Sequence, residues 1–316
     1  MSQQKIITIF GATGAQGGGL ARAILADKNS EFAVRAVTRD PNSDKAKELA
    51  AMGAEIVQAD LAQPEKIFKA MEGAYGAFCV TFFWAHFSPE QEAAEAKCMA
   101  DAAKAAGVQH VIWSTLEDTR ILVPLEDNRM PTLMEKFKVP HFDSKGDSNH
   151  FFTDAGVPTT FLLTTFYWDN LIYFGMGPKR GEDGVLAITF PMADKKLSGI
   201  CAEDIGKCAY GIFKKGASHI GKTVGIAGEH ITCADMAKAL TKALGEEVRY
   251  NSVTPAMFRS FGFPGAEDLG NMFQYYQEFE TEFTAARDVD NARALNPELL
   301  SFDMWLAENA KKLPLS

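Results

Sequence analysis

The stretch that decides the fold of this 316-residue chain is residues 6–19, IITIFGATGAQGGG. Apolar residues come first, and five glycines then fall within the nine residues from Gly11 to Gly19. Glycine loses more conformational freedom on folding than any other residue, so a cluster of this density needs a structural reason. A buried strand that runs through a glycine-rich turn into a helix is the arrangement that holds the pyrophosphate of a dinucleotide. The stretch therefore predicts a dinucleotide-binding turn.

The spacing of the glycines supports this prediction. Gly11, Gly14 and Gly17 are three residues apart. The first permits a tight turn, the second lets the backbone approach a pyrophosphate, and the third allows close packing of the helix. The helix offers free N–H groups and the positive end of its dipole to an anion. The alternative, a glycine-rich turn without a ligand, fits this strand–turn–helix context less well.

Beyond the turn, apolar runs and helical patterns alternate regularly as far as about Val157. Several helical stretches begin with proline or end in glycine, which are common boundary residues. The strand-like runs are almost continuously apolar, as a parallel sheet covered on both faces requires. These runs are IITIF, FAVRAVTR, AEIVQADL, GAFCVTFFW and HVIWSTL. The pattern predicts a Rossmann-type, doubly wound α/β domain over residues 1–157.

The second half of the chain, residues 158–316, is less regular. Strand-like and helical stretches still occur, and we expect the aromatic-rich segment after Pro264 to be helical. The segments are VPTTFLLTTFYWDN, LAITFP, CAEDIGKCAYGIFKK, KTVGIAG, TCADMAKALTKALG, EVRYNSV and FRSFGFPGAEDLGNMFQYYQEFETEF. They predict a smaller α+β C-terminal lobe that completes a cleft and returns strands to the main sheet.

The end of the second predicted strand, VTRD, selects the cofactor. Arg39 lies there, about twenty residues after the turn, where an acidic residue would bind the 2′-hydroxyl of the adenosine ribose. A guanidinium can instead pair with a 2′-phosphate and stack on adenine, so Arg39 favours NADP(H). Two alternatives stay open. Asp40 could accept a hydrogen bond from the ribose, and Arg39 could be merely solvated.

Composition excludes several classes of protein. A formal net charge of −9 argues against a sequence-independent nucleic-acid binder, which needs a basic surface. No apolar run approaches the roughly 20 residues of a membrane span. The N-terminal MSQQK leads directly into a strand, without room for a signal peptide. The five cysteines are scattered, so we expect reduced thiols, no metal and a cytoplasmic protein.

Six segments carry a resemblance to a known family: GATGAQGG, VTRDP, GAEIVQADL, CVTFFW, HFDSKG and GFPGAEDLGNMF. Together they resemble the NmrA-like family of atypical short-chain dehydrogenases, and most closely its HSCARG type, an NADPH sensor. The likeness runs over nearly the whole chain. It implies a Rossmann domain that binds NADP(H). By the same resemblance, the residues lining the cofactor are Gly11, Thr13, Gly14, Ala15, Gln16, Gly17, Arg39, Asp60, Leu61, Thr81, Phe82, Lys145, Thr164, Thr165, Phe166 and Tyr167.

The catalytic segment departs from the pattern of ordinary short-chain dehydrogenases. Those enzymes use a Tyr-x-x-x-Lys pair: the tyrosine transfers a proton, and the lysine lowers its pKa and holds the nicotinamide ribose. Here His141 stands in the tyrosine position, and Lys145 keeps the lysine. The resemblance has two implications. The same substitution accompanies redox sensing in the HSCARG type, whereas lysine alone serves reduction in the related isoflavone-reductase group.

The candidate catalytic residues are therefore Lys145, His141 and Tyr167. His141 suits proton transfer near neutral pH, but at a loop–helix boundary it could also be a structural or capping residue. Lys145 could instead be a solvated surface lysine, and Tyr167 could form only a pocket wall. Ser114 and Thr115 end the fifth predicted strand, where dehydrogenases place a catalytic hydroxyl; a plain strand end is an equal alternative.

Two functions compete. The first is a redox sensor or regulator with weak or no dehydrogenase activity, in which the NADPH/NADP ratio changes the order of a segment. The loop 117–139, which leads to Lys145, is the candidate segment. The second is an NADPH-dependent reductase of an apolar or aromatic carbonyl or alkene that uses Lys145. The expected partners are the nicotinamide dinucleotide and either a regulatory protein or a small aromatic substrate, without nucleic acid or membrane. The oligomeric state, including a homodimer, is left open.

Overall fold

The computed structural model of the chain describes residues 4–315. Residues 1–3, which open the MSQQK segment, lie outside the described range. The strands are β1 (Lys5–Ile9), β2 (Phe32–Thr38), β3 (Glu55–Gln58), β4 (Gly76–Cys79), β5 (His110–Thr115), β6 (Thr159–Leu163), β7 (Phe166–Tyr167), β8 (Lys179–Arg180), β9 (Leu186–Phe190), β10 (Lys196–Ile200), β11 (Thr223–Gly225), β12 (Glu229–Thr232) and β13 (Val248–Ser252).

The helices cover both faces of the main sheet and fill the C-terminal half. They are α1 (Ala15–Ala26), α2 (Asp44–Ala51), α3 (Pro64–Met71), α4 (Pro89–Ala106), α5 (Pro140–Asp147), α6 (Asn149–Asp154), α7 (Asn170–Tyr173), α8 (Ala202–Lys215), α9 (Cys233–Leu244), α10 (Pro255–Arg259), α11 (Ala266–Glu278), α12 (Glu280–Ala285), α13 (Val289–Leu295) and α14 (Phe302–Asn309). In the part of the chain described here, none of them has the length and apolar character needed to cross a membrane.

The main sheet contains seven parallel strands in the order β11–β6–β5–β4–β1–β2–β3. The chain builds outward from β1 through β2 and β3, then crosses to β4 and builds outward on the other side. This arrangement confirms the predicted doubly wound parallel sheet. Such sheets bind their ligands beyond the carboxyl ends of the strands, at the point where the strand order reverses. The site is therefore expected beyond the ends of β1 and β4.

The glycine cluster also has a packing role on one face of this sheet, where α1 lies against α8. A Cβ added at Gly19 would lie 2.5 Å from the carbonyl oxygen of Glu203. One added at Gly206 would lie 2.0 Å from the backbone nitrogen of Leu20. Neither position has room for a side chain, so part of the glycine content serves helix packing rather than ligand binding.

The C-terminal half adds two small sheets, β12–β10–β7 and β13–β9–β8, while β6 and β11 belong to the main sheet. The run predicted as a sixth strand divides into β6, the two-residue β7 and the short α7. The helix expected after Pro264 is present as α11. It anchors an aromatic core in which the ring of Phe273 lies 5.5 Å from that of Phe190 and 5.3 Å from that of Phe258.

Candidate functional site

The glycine turn lies between β1 and the first turn of α1 and contains the predicted cofactor residues Thr13 and Ala15. Gly11 has a φ of 63°, a left-handed conformation that favours glycine, and its carbonyl accepts a hydrogen bond of 2.8 Å from the Gly14 amide. A Cβ at Gly17 would lie 2.6 Å from the Gly11 oxygen, so this glycine lets the helix approach the turn. Within residues 4–315, no side chain caps α1. Its first-turn N–H groups therefore remain available to an anion.

Arg39 immediately follows β2, and its side chain is exposed. Its carbonyl accepts a hydrogen bond of 3.0 Å from the Gln58 side chain, which fixes the backbone at this strand end. The Asp40 carboxylate accepts a hydrogen bond of 2.9 Å from the backbone amide of Asn42, two residues later in the chain. One oxygen of Asp40 thus serves the turn into α2, while the Arg39 side chain is exposed at the end of β2.

Two further pairs of predicted cofactor residues follow neighbouring strands of the sheet. Asp60 and Leu61 come after β3, and the Asp60 carboxylate accepts a hydrogen bond of 2.9 Å from the Ala62 amide. Thr81 and Phe82 come after β4; Thr81 is buried, whereas Phe82 is 54% exposed. Because the strands are parallel, these residues share the edge of the sheet that carries the glycine turn.

Gln16 links the glycine turn to two other strand ends. Its Nε2 donates to the Tyr167 phenol oxygen at 2.6 Å, and its Oε1 accepts from the Ser114 hydroxyl at 2.7 Å. Burial raises the pKa of the Tyr167 phenol, which favours the protonated form. The Phe166 ring packs in the aromatic core, and the Thr165 hydroxyl bonds to the backbone of β10. Of these three consecutive residues, Tyr167 is the one whose polar group meets the turn.

Lys145 extends from α5 to the end of β4. Its Nζ lies 2.5 Å from the Thr81 hydroxyl oxygen and 3.4 Å from the Thr81 carbonyl oxygen. The third partner is the fully buried Glu92 of α4, whose Oε1 is also 2.5 Å from Nζ. Sequence reasoning missed this residue, because α4 also carries Glu90 and Glu95 and nothing in their spacing distinguishes the buried glutamate.

Glu92 forms a small cluster with His86 and Glu95, and one possible ligand atom from each lies within 4.8 Å of the others. The Ser88 amide donates to His86 Nδ1 at 3.0 Å. A neutral imidazole in this arrangement carries its proton on Nε2, which faces the carboxylates. A metal ion would need the lone pair of that nitrogen, and the Lys145 ammonium already balances the Glu92 charge. The cluster therefore fits a group of carboxylates balanced by Lys145 better than a metal centre.

His141 is buried on α5, one helical turn before Lys145. Its Nδ1 lies 2.5 Å from Asp268 Oδ1, and its backbone amide donates to Oδ2 of the same carboxylate at 3.2 Å. The imidazole packs against Trp84, with ring centroids 4.7 Å apart. A carboxylate on Nδ1 orients the ring and leaves Nε2 to exchange a proton. Sequence reasoning missed Asp268 as a site residue, although it belongs to the GFPGAEDLGNMF segment.

The segment 117–139 is the one that the sensor hypothesis expects to become more or less ordered with the cofactor state. Hydrogen bonds hold it at several points. The buried Asp143 carboxylate accepts hydrogen bonds from the backbone amides of Thr119 at 2.8 Å and Lys138 at 2.7 Å. The Asn271 side chain donates to the carbonyls of Pro131 at 2.9 Å and Lys138 at 2.6 Å. The segment is thus tied to α5 and α11, the two helices that hold the histidine–aspartate pair.

Comparison with protein families and curated proteins gives consistent matches. The sequence model of the NmrA-like family matches residues 3–306. The chain is 28% identical over 286 residues to the NmrA-like family domain-containing oxidoreductase FrzB of Cladobotryum sp, covering 86% of this chain and 84% of that protein. It is 32% identical over 266 residues to the oxidoreductase notA of Aspergillus sp. (strain MF297-2), covering 79% and 76%.

Solved structures also include similar proteins. Nmra, described as a negative transcriptional regulator, has been crystallised in complex with NAD and with NADP. These two structures match the chain with TM-scores of 0.79 and 0.78 at 26% identity. Each match covers 97% of this chain and 95% of the other. The similarity therefore includes both the main sheet and the C-terminal half.

Proposed function

This chain belongs to the NmrA-like family, and from that premise we propose that it is an NADP(H)-dependent reductase of an apolar or aromatic carbonyl or alkene. The observation that carries the proposal is the pair His141 and Lys145, which α5 presents to the segment after β4. Lys145 contacts Thr81 there, and His141 contacts Trp84. The similarity to relatives that are named oxidoreductases supports the same reading.

The two side chains divide the chemistry between them. A bound reduced nicotinamide supplies the hydride. Lys145 places a positive charge beside Thr81, where it can hold the nicotinamide ribose and polarise the reacting oxygen. His141, oriented by the Asp268 carboxylate on Nδ1, gives a proton from Nε2 to that oxygen. One hydride and one proton convert a carbonyl to an alcohol, and solvent then returns a proton to the imidazole.

We place the substrate cleft between the two proposed domains, residues 1–157 and 158–316. The His141–Asp268 hydrogen bond joins α5 of the first to α11 of the second. Aromatic side chains surround this junction: Trp84 packs on the histidine, and a Cβ at Gly265 would lie 2.9 Å from the Trp84 ring. Such walls suit an apolar or aromatic substrate.

A turnover assay tests the proposal directly. Purified protein is incubated with NADPH and a panel of aromatic carbonyls and activated alkenes, and the loss of reduced-nicotinamide absorbance is followed. We expect at least one member of the panel to accelerate NADPH consumption above the rate without substrate. A protein that binds NADPH but consumes it with no member of the panel would contradict the reductase proposal and favour the regulatory one.

Replacing Arg39 with alanine should weaken NADPH binding about 10–100-fold and NADH binding very little, because a charge-assisted contact is worth about 1.5–3 kcal/mol. The guanidinium is a cation at this strand end that can pair with a 2′-phosphate, which NADH lacks. Calorimetric titration of both cofactors measures the difference. Asp40→Asn is the matched control and should leave NADPH binding close to the wild-type value. Equal losses for both cofactors would show that Arg39 does not read the 2′-phosphate.

Replacing Asp268 with asparagine should lower kcat by about 10²-fold while NADPH affinity and Tm change little. Asparagine keeps the size of the side chain and an oxygen for His141 Nδ1, but it removes the charge that stabilises the imidazolium. Steady-state kinetics, NADPH titration and thermal unfolding separate these effects. Glu267→Gln, at the exposed neighbouring carboxylate, is the control. A variant with a lower Tm and unchanged kcat would make the pair a structural link only.

A second candidate function is that of an NADPH sensor, including the HSCARG type that the sequence resembles. The similarity to a transcriptional regulator that binds NAD and NADP supports it. Sensing requires an element with two states that the cofactor biases. Amide hydrogen exchange in segment 117–139, compared with NADPH, with NADP and without cofactor, tests this requirement. Equal protection in all three conditions would contradict sensing through this segment.

A further inference from the structure

The Glu92 carboxylate lies in the protein interior, where the desolvation of a charge costs free energy. Its side chain is fully buried on α4, and a buried charge needs a partner of opposite sign and hydrogen bonds to offset its desolvation. Lys145 provides the charge, with Nζ 2.5 Å from Glu92 Oε1. Thr81 adds a hydrogen bond, with its hydroxyl 2.5 Å from the same oxygen. Lys145 and Thr81 thus both contact the same oxygen of Glu92. Lys145 is also the residue to which the proposed function assigns a catalytic role.

The second carboxylate oxygen faces His86. The distance from Glu92 Oε2 to His86 Nε2 is 3.6 Å, and neither atom has a hydrogen-bond partner within residues 4–315. Since the Ser88 amide occupies Nδ1, the imidazole turns its N–H toward the carboxylate. Glu95 is the other acid nearby, with Oε2 4.0 Å from His86 Nε2.

Two oxygens lie 2.5 Å from Lys145 Nζ, the Thr81 hydroxyl and Glu92 Oε1, and the Thr81 carbonyl oxygen lies 3.4 Å away, beyond the usual length of a hydrogen bond. One of the three N–H groups is therefore left for a ligand. A lysine side chain has four flexible methylene groups, so an ammonium without such partners would sample many positions. The nitrogen also lies 5.4 Å from the centroid of the Trp113 ring. The side chain is therefore fixed at the end of β4, where the site is built.

We propose that Glu92 is the positioning residue for Lys145: its buried carboxylate holds the ammonium by charge and directs it to Thr81. The inference rests on the proposed function, because that function assigns Lys145 its role. Glu92 touches neither cofactor nor substrate in this account. Its effect on binding and turnover passes entirely through Lys145.

A double-mutant cycle tests this dependence, because residues that act through one another give effects that do not add. The four proteins are the wild type, Glu92→Gln, Lys145→Met and the double variant. Glutamine has the size of glutamate and keeps an acceptor for Thr81, but it removes the charge. NADPH affinity is measured by quenching of tryptophan fluorescence, kcat with a substrate from the panel, and Tm by thermal unfolding. Glu95→Gln is the matched control on the same helix.

We expect Glu92→Gln to weaken NADPH binding about fivefold and to lower kcat by at least about tenfold. The loss in binding reports the effect on the bound ground state, and the larger loss in kcat reports the effect on the transition state. In the Lys145→Met background the same change should cause no further loss. Lys145→Met should lower Tm because it leaves the carboxylate without its cation, and the double variant should recover most of that loss. Glu95→Gln should resemble the wild type in all three measurements.

Two results would overturn the inference: wild-type affinity and kcat in Glu92→Gln, or an equal loss from Glu92→Gln with and without Lys145. Failure of the proposed function has a different signature. A wild-type protein that binds NADPH but turns over no substrate contradicts the reductase proposal, and the affinity cycle still decides whether Glu92 acts through Lys145. A wild-type protein that does not bind NADPH contradicts both.

Discussion

Replacing Lys145 with methionine should lower turnover by about 10³-fold while weakening NADPH binding only about tenfold. Methionine keeps most of the apolar length of the side chain but removes the ammonium that contacts Thr81. The effect on turnover is larger because the charge acts on an oxygen that becomes negative in the transition state, whereas its contact with the ribose is one of many in the bound complex. Steady-state kinetics give kcat, and fluorescence titration gives the cofactor Kd.

The control for this substitution concerns stability. Lys145→Met leaves the Glu92 carboxylate buried without its cation, at a cost of about 3–5 kcal/mol. Lys145→Arg keeps a positive charge, and Glu92→Gln combined with Lys145→Met removes the uncompensated carboxylate, so both should fold. Near-wild-type turnover in the folded double variant would contradict the assigned role of Lys145. Loss of activity only in proportion to unfolded protein would contradict it equally.

The main sheet could be predicted from the sequence because its signals are local. Each strand is a short apolar run. Gly11 and Gly17 mark the turn after the first strand, and Gly17 has no room for a side chain. In a parallel sheet the carboxyl ends of all strands share one edge, so knowing the strands is enough to bring Arg39, Asp60 and Thr81 to the same side. The sequence selects Arg39 by its position at the end of a strand, whereas only the family resemblance selects Asp60 and Thr81.

The contacts that shape the candidate site could not be predicted in this way. Asp268 is 127 residues away from His141 in the chain, and no periodicity connects them. Glu92 lies in a helix that is rich in glutamate, and only the packing of α4 against α5 shows which carboxylate is buried. Pairing between distant elements depends on how the helices pack, which the amino-acid pattern of either element alone does not contain.

The C-terminal half was harder to predict for a related reason. Its strands β7 and β8 have two residues each, Phe166–Tyr167 and Lys179–Arg180, too few to show alternation. The rings that fill its core, such as Phe190 and Phe273, come from separate elements and meet only after folding. An apolar run in this region therefore indicates burial but does not identify the sheet that buries it.

Replacing Gly14 with valine should abolish NADPH binding, with a loss of at least about 10³-fold. The reason is that the side chain would occupy the N-terminus of α1 and block two or more charge-assisted hydrogen bonds of about 1.5–3 kcal/mol each. Gly14 has a φ of −89°, which any residue can adopt, and its Cβ would lie 3.1 Å from the Gly11 oxygen. The substitution therefore needs only a small adjustment of the turn. Calorimetric titration with NADPH measures the loss, and thermal unfolding checks the fold.

Gly18→Ala, on the same helix, is the matched control for Gly14→Val. Its Cβ would meet the flexible guanidinium of Arg22 at 3.1 Å and the Ala12 oxygen at 3.3 Å, so the variant should fold and bind NADPH. Gly17→Ala differs from both, because its Cβ would lie 2.6 Å from the backbone of the turn and should lower Tm. Since Gly14 alone combines a permissive backbone with a position at the helix N-terminus, retained NADPH binding in a folded Gly14→Val protein would remove the phosphate-binding role of this turn.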